Sequence, residues 1–204
     1  MMLRIVLASR SARLVAVVPV LLALPGLALG NRGISIEMAP LRPANLLPYP
    51  ELCGVLTAIV VTTLVRPRFW EWDRVGTRRA ALVSGAAATS ALVLPLLVMA
   101  VGATRVSEGA PWLWSLSNVL VYSAAVVGLA PFVGVGLAGG IVLVGYFGVG
   151  VLNNAEPAVG ALLPVATYAE PTGNWVVAVG LAVLAVAAHV RTRGVTAWAH
   201  RLNP

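Results

Sequence analysis

Long apolar runs separated by short polar segments dominate the chain. A crossing of the hydrocarbon core needs about 20 mostly apolar residues. Six stretches meet or approach this length, and the pattern therefore predicts membrane-spanning helices at residues 14–30, 49–65, 80–103, 114–130, 132–152 and 175–190. The predicted fold class is an all-α integral membrane protein, a bundle of six transmembrane helices that forms a single transmembrane domain over residues 1–204.

The fourth and fifth spans come from one apolar region, residues 112–152, which is too long for a single crossing. Pro131, Gly134 and Gly136 lie near its middle, and proline and glycine commonly interrupt helices. The sequence therefore predicts a helix boundary close to Pro131.

The first apolar run has two interpretations. Arginines precede it and Ala28-Leu29-Gly30 ends it, which is also the pattern of a signal peptide with a small-residue cleavage site. Its length and its two internal prolines favour a retained span, and cleavage stays open as the alternative.

Composition supports a membrane location. The chain is 59% apolar and 10% charged, with a mean hydropathy of +0.92, whereas soluble domains are near one quarter charged. The net charge of +7 could indicate nucleic acid, but the basic residues flank apolar spans and are not interleaved with aromatic residues. Orientation in the lipid bilayer explains the charge better, and no nucleic-acid partner is expected.

All 14 basic residues are arginines, and their distribution predicts the topology of the chain. With the amino terminus in the cytoplasm, Arg32, Arg42 and Arg105 lie outside and the other eleven of the 14 lie inside. Cytoplasmic segments carry the excess of basic residues in membrane proteins. We therefore expect a multi-pass protein of the cell membrane with both termini cytoplasmic.

The inner segment between the second and third spans is the most polar and aromatic stretch in the chain. Its aromatic residues would lie at the level of the lipid headgroups and its charged residues would face water. This pattern is typical of a short helix that lies along the inner membrane surface. One interpretation is a basic anchor with an aromatic belt. The other is a docking surface for a cytoplasmic partner, formed by Phe69, Trp70, Glu71, Trp72, Asp73 and Arg74.

Two outer segments differ in character. Residues 158–169 are apolar but only about half as long as a crossing requires, which indicates a re-entrant or interfacial segment, with a loose hydrophobic turn as the equally weighted alternative. Residues 31–48 contain Pro40, Pro43 and Pro48. Those prolines predict an extended connector without a site.

Gly134-Val-Gly136-Leu-Ala-Gly139 matches the dinucleotide-binding pattern G-x-G-x-x-G, but it lies in a predicted span and not after a strand. We expect no nucleotide there. Gly136 and Gly140 instead form a small-x-x-x-small pair that would let another helix approach closely.

Few polar residues interrupt the spans. Glu51 and His189 lie near span ends, where a side chain can reach the interface or cap a helix, and we expect that role for both. Asn118 and Tyr122 lie on the fourth span. They predict either hydrogen bonds between helices or the polar lining of a substrate path.

No catalytic constellation is present in the sequence. The two histidines carry no H-E-x-x-H pattern, G-x-S-x-G is missing, and Cys53 is the single cysteine. We therefore expect no enzyme activity, no cofactor and no metal site.

Together these features resemble the membrane (permease) subunit of type-2 ABC exporters, including small arginine-rich actinobacterial proteins of this kind. The residues that carry the likeness are the segment Phe69 to Arg74, the run Ser117-Asn118-Val-Leu-Val-Tyr122, and the ending Val190-Arg-Thr-Arg-Gly194. The resemblance implies that residues 69–74 are a coupling helix for an ATP-binding cassette subunit on another chain. It also implies a homo- or hetero-dimer of permease subunits. The alternative is a non-transporting membrane protein that anchors or modulates a larger assembly.

Cysteine labelling tests the topology. In a background that lacks Cys53, we expect single cysteines near Arg74 and His200 to be protected from an impermeant external thiol reagent, and cysteines near Glu108 and Glu156 to react. The strong difference in arginine numbers between the two sides is the reason. Reaction of position 74 from outside would reverse the orientation.

Overall fold

Helices account for most of the structure, which is a computed structural model describing residues 12–38, 44–66, 78–106, 112–166, 174–196 and 198–199. Two short strands follow the first helix, and a single-turn helix precedes the last. In chain order the elements are α1 (Ala12–Ala28), β1 (Gly33–Ile36), β2 (Asn45–Pro48), α2 (Tyr49–Leu64), α3 (Arg78–Ala103), α4 (Trp112–Val133), α5 (Val135–Ala155), α6 (Pro157–Gly160) and α7 (Trp175–Thr192).

Four of the described helices are long and apolar enough to cross a membrane: α3, α4, α5 and α7. The other two apolar helices are shorter. α1 has 17 residues and α2 has 16, which corresponds to about 25 Å of helix each at 1.5 Å per residue. All six of these helices coincide with predicted spans to within a few residues.

The boundary between α4 and α5 lies at Gly134 and not at Pro131. Pro131 is in the last turn of α4, where its carbonyl accepts a hydrogen bond from the Thr196 N–H at 2.9 Å. Gly134 has φ 84°, a conformation that costs a glycine little, and it reverses the chain between the helices. Tyr122 and Tyr146, at equal sequence distances from Gly134, have ring centroids 5.3 Å apart, so α4 and α5 run antiparallel.

Contacts at the helix ends show that successive long helices alternate in direction. Gly26 of α1 lies near Cys53 of α2 and Gly102 of α3, which brings the end of α1, the start of α2 and the end of α3 together. At the other end of the bundle, the Ser84 hydroxyl donates to the His189 carbonyl at 3.1 Å. The end near the two strands is called the sheet end below, and the other is called the opposite end.

The interior of the bundle is built around α2, which packs against α1, α3, α4 and α5. α7 packs mainly on α4 and α3. The largest cluster of buried hydrophobic residues lies between α2, α3, α4 and α7 and is rich in small residues. Small residues let helices approach closely, and the resulting dispersion contacts hold membrane bundles together. The alanines of the cluster are Ala87, Ala88, Ala91, Ala124, Ala178 and Ala185.

The segment after α1 contains extended strands, as its prolines predicted, but these strands also pair in a small antiparallel sheet and β2 contributes to a pocket, so the expectation that the segment has no site was wrong. Gly33 pairs with Pro48, and Ile36 pairs with Asn45. Pro48 is tolerated because it ends its strand and so gives up no interior ladder bond. The described chain is therefore mostly helical, as predicted, with one two-stranded sheet that the sequence did not indicate.

Gly139, and not the predicted pair, makes the close helix contact on α5. A Cβ at Gly139 would lie 2.8 Å from Cγ2 of Ile59 on α2. At Gly136 and Gly140 no atom of the described residues lies within 4 Å of that position. The expected helix contact of Gly136 and Gly140 is thus not made within the described part of this chain.

Leucine substitution on α5 tests this arrangement. Gly139→Leu should lower the stability of the protein in detergent by roughly 1–3 kcal/mol, because the added side chain separates α5 from α2. Gly148→Leu is the control on the same helix, because no atom of the described residues lies within 4 Å of an added Cβ there, and it should change stability by less than about 0.5 kcal/mol. Thermal unfolding measures both. Equal losses at the two positions would contradict the observed α2–α5 contact.

Candidate functional site

A buried carboxyl group lies at the start of α2. Glu51 is in the first turn of the helix and is only 2% exposed. Pro48 occupies the N-cap position and has no N–H, so Glu51 cannot form a capping box with it. The expectation that Glu51 reaches the interface was therefore wrong. His189, at the opposite end, is likewise buried, at 5% exposed.

Asn118 of α4 connects Glu51 to the segment that follows α6. Its Nδ2 donates to the Ala166 carbonyl at 2.9 Å, and its Oδ1 accepts from the Ala166 N–H at 2.8 Å. The same Nδ2 lies 3.4 Å from Oε1 of Glu51, a long contact. Ser115, one turn earlier on α4, lies beside the Glu51 carboxyl group. The spacing of residues 115, 118 and 122 places all three side chains on one face of α4.

Aromatic side chains form the next layer of the site. Tyr146 is fully buried and makes edge-to-face contacts with Tyr122 and Phe147, each with ring centroids 5.3 Å apart. Such geometry is the favoured one for aromatic pairs. The Tyr146 hydroxyl has no hydrogen-bond partner among the described residues.

The sheet covers the site from outside the helix bundle. The Asn45 side chain donates to the Gly150 carbonyl at 3.0 Å, which fixes β2 on α5. Gly150 allows this approach, because a Cβ there would lie 2.8 Å from Cδ1 of Ile36 and 3.0 Å from Cδ1 of Leu47. On the same helix, the Asn154 side chain accepts from the Met38 N–H at 2.7 Å. Two bonds therefore join the segment 33–48 to the end of α5.

These elements enclose a small polar pocket at the sheet end, hereafter the Glu51 pocket. It is lined by residues of β2, α2, α4, α5 and the segment 165–166, and none of its lining residues in the described chain is basic. Its free interior has room for about one water molecule. Four buried polar atoms of lining residues lack a hydrogen-bond partner among the described residues: Glu51 Oε2, Trp114 Nε1, Tyr146 OH and Asn153 Oδ1.

The electrostatics of the pocket are unusual for a membrane bundle. A buried ionised carboxylate costs several kcal/mol unless charge or hydrogen bonds compensate it. The N-terminus of α2 contributes a partial positive charge beside Glu51. Neutral donors from α4 add to it, and no arginine from the described chain lines the pocket. The site can therefore hold a small polar or positively charged species.

The structure brings only some of the predicted site residues into the Glu51 pocket. Asn118 and Tyr122, the predicted path residues, both line the Glu51 pocket. Gly136 and Gly140 lie elsewhere, on an exposed face of α5. The predicted coupling residues Phe69, Trp70, Glu71, Trp72, Asp73 and Arg74 lie outside the described residues.

Part of the site gives little or no signal in the sequence. Glu51 was recognisable as an acid in an apolar run, but its position near the end of a span predicted a side chain at the membrane interface. Asn153 was visible as part of an Asn-Asn pair that follows an apolar run. Trp114 and Tyr146 carried no signal, because aromatic residues are common near the ends of spans and within them.

The fold and the pocket define a helical membrane protein with a buried polar site at one end of its bundle. Comparison of the chain with protein-family models, curated proteins and solved structures gives no match.

Replacement of Asn118 tests how the pocket is held together. Asn118→Leu should destabilise the protein in detergent by on the order of 1–3 kcal/mol, because the Ala166 N–H and carbonyl lose their partner. It should also increase protease cleavage within residues 157–166. Both effects are measured on purified protein, by thermal unfolding and by limited proteolysis.

Ser123→Ala is the matched control on the same helix. Ser123 is fully buried and its hydroxyl has no partner among the described residues, so its removal should be neutral or slightly stabilising. If Asn118→Leu were as stable and as protease-resistant as Ser123→Ala, the bridge to Ala166 would not hold the segment.

Proposed function

We propose that this chain is a permease-like transmembrane subunit of an ATP-driven transporter in the cell membrane. In this proposal all six long helices cross the bilayer, both termini are cytoplasmic, and a separate ATPase binds the inner side. The single observation that carries a transport role is the Glu51 pocket. A bundle that only anchors other proteins has no need for a buried carboxyl group without a basic partner, whereas intramembrane ionisable residues commonly mark substrate and ion pathways.

The alternating helices support six crossings. α1 and α2 are each about 5 Å shorter than the roughly 30 Å hydrocarbon core. α2 lies inside the bundle against four other helices, where protein and not lipid surrounds most of it. α1 packs against α2 and α3, so the proposal retains it as the first span.

The distribution of charge supports the orientation. Arg32 and Arg105 lie at the sheet end, whereas Arg66, Arg191 and Arg193 lie at the opposite end. The start of α1, the end of α2 and the start of α3, which border the other two groups of arginines, also lie at the opposite end. The positive-inside rule then makes the sheet end external. In this orientation the Glu51 pocket lies near the outer side, and the segment 66–79 connects α2 and α3 on the cytoplasmic side.

Coupling to an ATPase rests on the sequence of residues 69–74. Glu71 and Asp73, between aromatic residues and arginines, supply a charge pattern that a partner protein can recognise. In the proposed dimer, the exposed glycines Gly136 and Gly140 offer a surface on which a helix of a second permease subunit could pack closely.

Co-purification tests the coupling. The affinity-tagged chain, extracted in mild detergent from its own host, should bring with it an ATP-binding cassette protein encoded by an adjacent gene. Glu71→Ala combined with Asp73→Ala should reduce that recovery at least about tenfold while leaving expression and topology unchanged, because acids contribute little to orientation. The yield of ATPase per permease is measured by quantitative mass spectrometry.

The control is the pair Glu37→Ala and Glu156→Ala, two exposed acids at the sheet end. It removes the same charge from the proposed outer side and should leave ATPase recovery at the wild-type level. Undiminished recovery with the Glu71 and Asp73 variant would return residues 69–74 to the role of a membrane anchor. An absent ATPase in the wild-type preparation would favour the non-transporting alternative.

A further inference from the structure

One oxygen of the Glu51 carboxyl group has no hydrogen-bond donor among the described residues. Glu51 Oε2 is buried without a partner in the described chain, although Oε1 lies near Asn118. The Asn118 amide is already committed on both sides to the Ala166 backbone, at 2.9 and 2.8 Å. It therefore cannot turn to serve the second carboxylate oxygen.

A lining residue from another helix also carries an acceptor without a partner in the described chain. Asn153 comes from α5, and its Oδ1 is buried without a hydrogen-bond partner among the described residues. Gly160 makes room for this side chain, because a Cβ at Gly160 would collide with Asn153 Oδ1. The Tyr146 hydroxyl, also without a partner, has an oxygen that can accept or coordinate.

We propose that the Glu51 pocket binds one small monovalent cation of the sodium, potassium or ammonium class, with Glu51 as its counter-charge. The candidate ligands are Glu51 Oε2, Asn153 Oδ1 and the Tyr146 hydroxyl oxygen. This inference deepens the proposed function by naming the ligand class of the same pocket, and it rests on that proposal only for the role of the ion in transport.

Charge and size select this class. One carboxylate balances one positive charge, whereas divalent ions in proteins are usually held by more oxygen ligands, including several carboxylates or waters. In the described chain no three His, Cys, Asp or Glu residues cluster as a multivalent metal site would require. The space, about that of one water molecule, suits a desolvated ion and excludes an organic amine of any length.

A neutral carboxylic acid satisfies the pocket less completely. Its hydroxyl group can donate to one acceptor only. A cation can contact several oxygens at once. The Trp114 N–H is a donor and not an ion ligand, but its indole ring lines the pocket and can report occupancy.

The test uses purified full-length protein in detergent, first dialysed into choline chloride. Sodium, potassium and ammonium chloride are then titrated at constant ionic strength while thermal unfolding is followed. At about ten times its dissociation constant, a bound ion should raise the Tm by roughly 3–6 °C. Equilibrium binding of radioactive sodium or rubidium to the same preparation should approach one ion per chain.

Glu51→Gln keeps the size of the side chain and removes its charge. It should abolish both the ion-dependent rise in Tm and the radioactive binding, yet it should fold in choline chloride, because a neutral amide is cheaper to bury than an unpaired carboxylate. Glu37→Gln is the charge-matched control on an exposed residue, and Thr62→Val is the burial-matched control elsewhere on α2. Both should keep the wild-type response.

Tryptophan fluorescence gives an independent reading. A change in emission on addition of the preferred ion should disappear in Trp114→Phe, while the ion-dependent rise in Tm remains. A wild-type Tm that is the same in all four chlorides, or that rises equally in Glu51→Gln, would overturn the proposal. So would a wild-type Tm that responds to acid but to none of the cations, which would assign the buried charge to a proton. These measurements involve no ATPase, so their failure is separate from a failure of the coupling experiment.

Discussion

The side-chain amide of Asn118 is the interaction on which the sheet end of this protein depends. In an apolar bundle, a backbone N–H or carbonyl without a partner costs several kcal/mol, so non-helical backbone at this depth must be satisfied by protein. Asn118 supplies both partners for Ala166 with one side chain. The segment after α6 can therefore pack against the bundle instead of remaining in a surface loop.

The same physical requirement explains the position of α2. Its side-chain hydroxyls at Thr57 and Thr62 donate to carbonyls one turn earlier in the helix, at 2.7 and 2.6 Å. These groups are thereby satisfied without help from other elements, which lets α2 occupy the centre of the bundle. Glu51 has no such internal partner, and the surrounding helices provide a pocket for it.

The pocket lies at the start of α2, and the proposed coupling segment follows the end of α2 in the sequence. α2 connects them directly, because Glu51 is in its first turn and its last residues lead into the segment that contains Glu71. A displacement of α2 would therefore affect both places. This geometry is compatible with a transporter in which an event on the cytoplasmic side changes access to a site near the outer side, as the proposed function requires.

Hydropathy and arginine spacing determined the positions of the long helices, because apolar runs of sufficient length have few alternatives to helix in a bilayer. The sequence also indicated that Asn118 and Tyr122 belong to one polar face, since helical periodicity alone places them there. It could not determine what that face meets. The pairing of β1 with β2, the bridge from Asn118 to Ala166 and the burial of Glu51 all join residues distant in the chain. Only the tertiary structure decided these contacts, because side-chain burial near a span end depends on which neighbouring helices and segments cover it, and no local pattern records that choice.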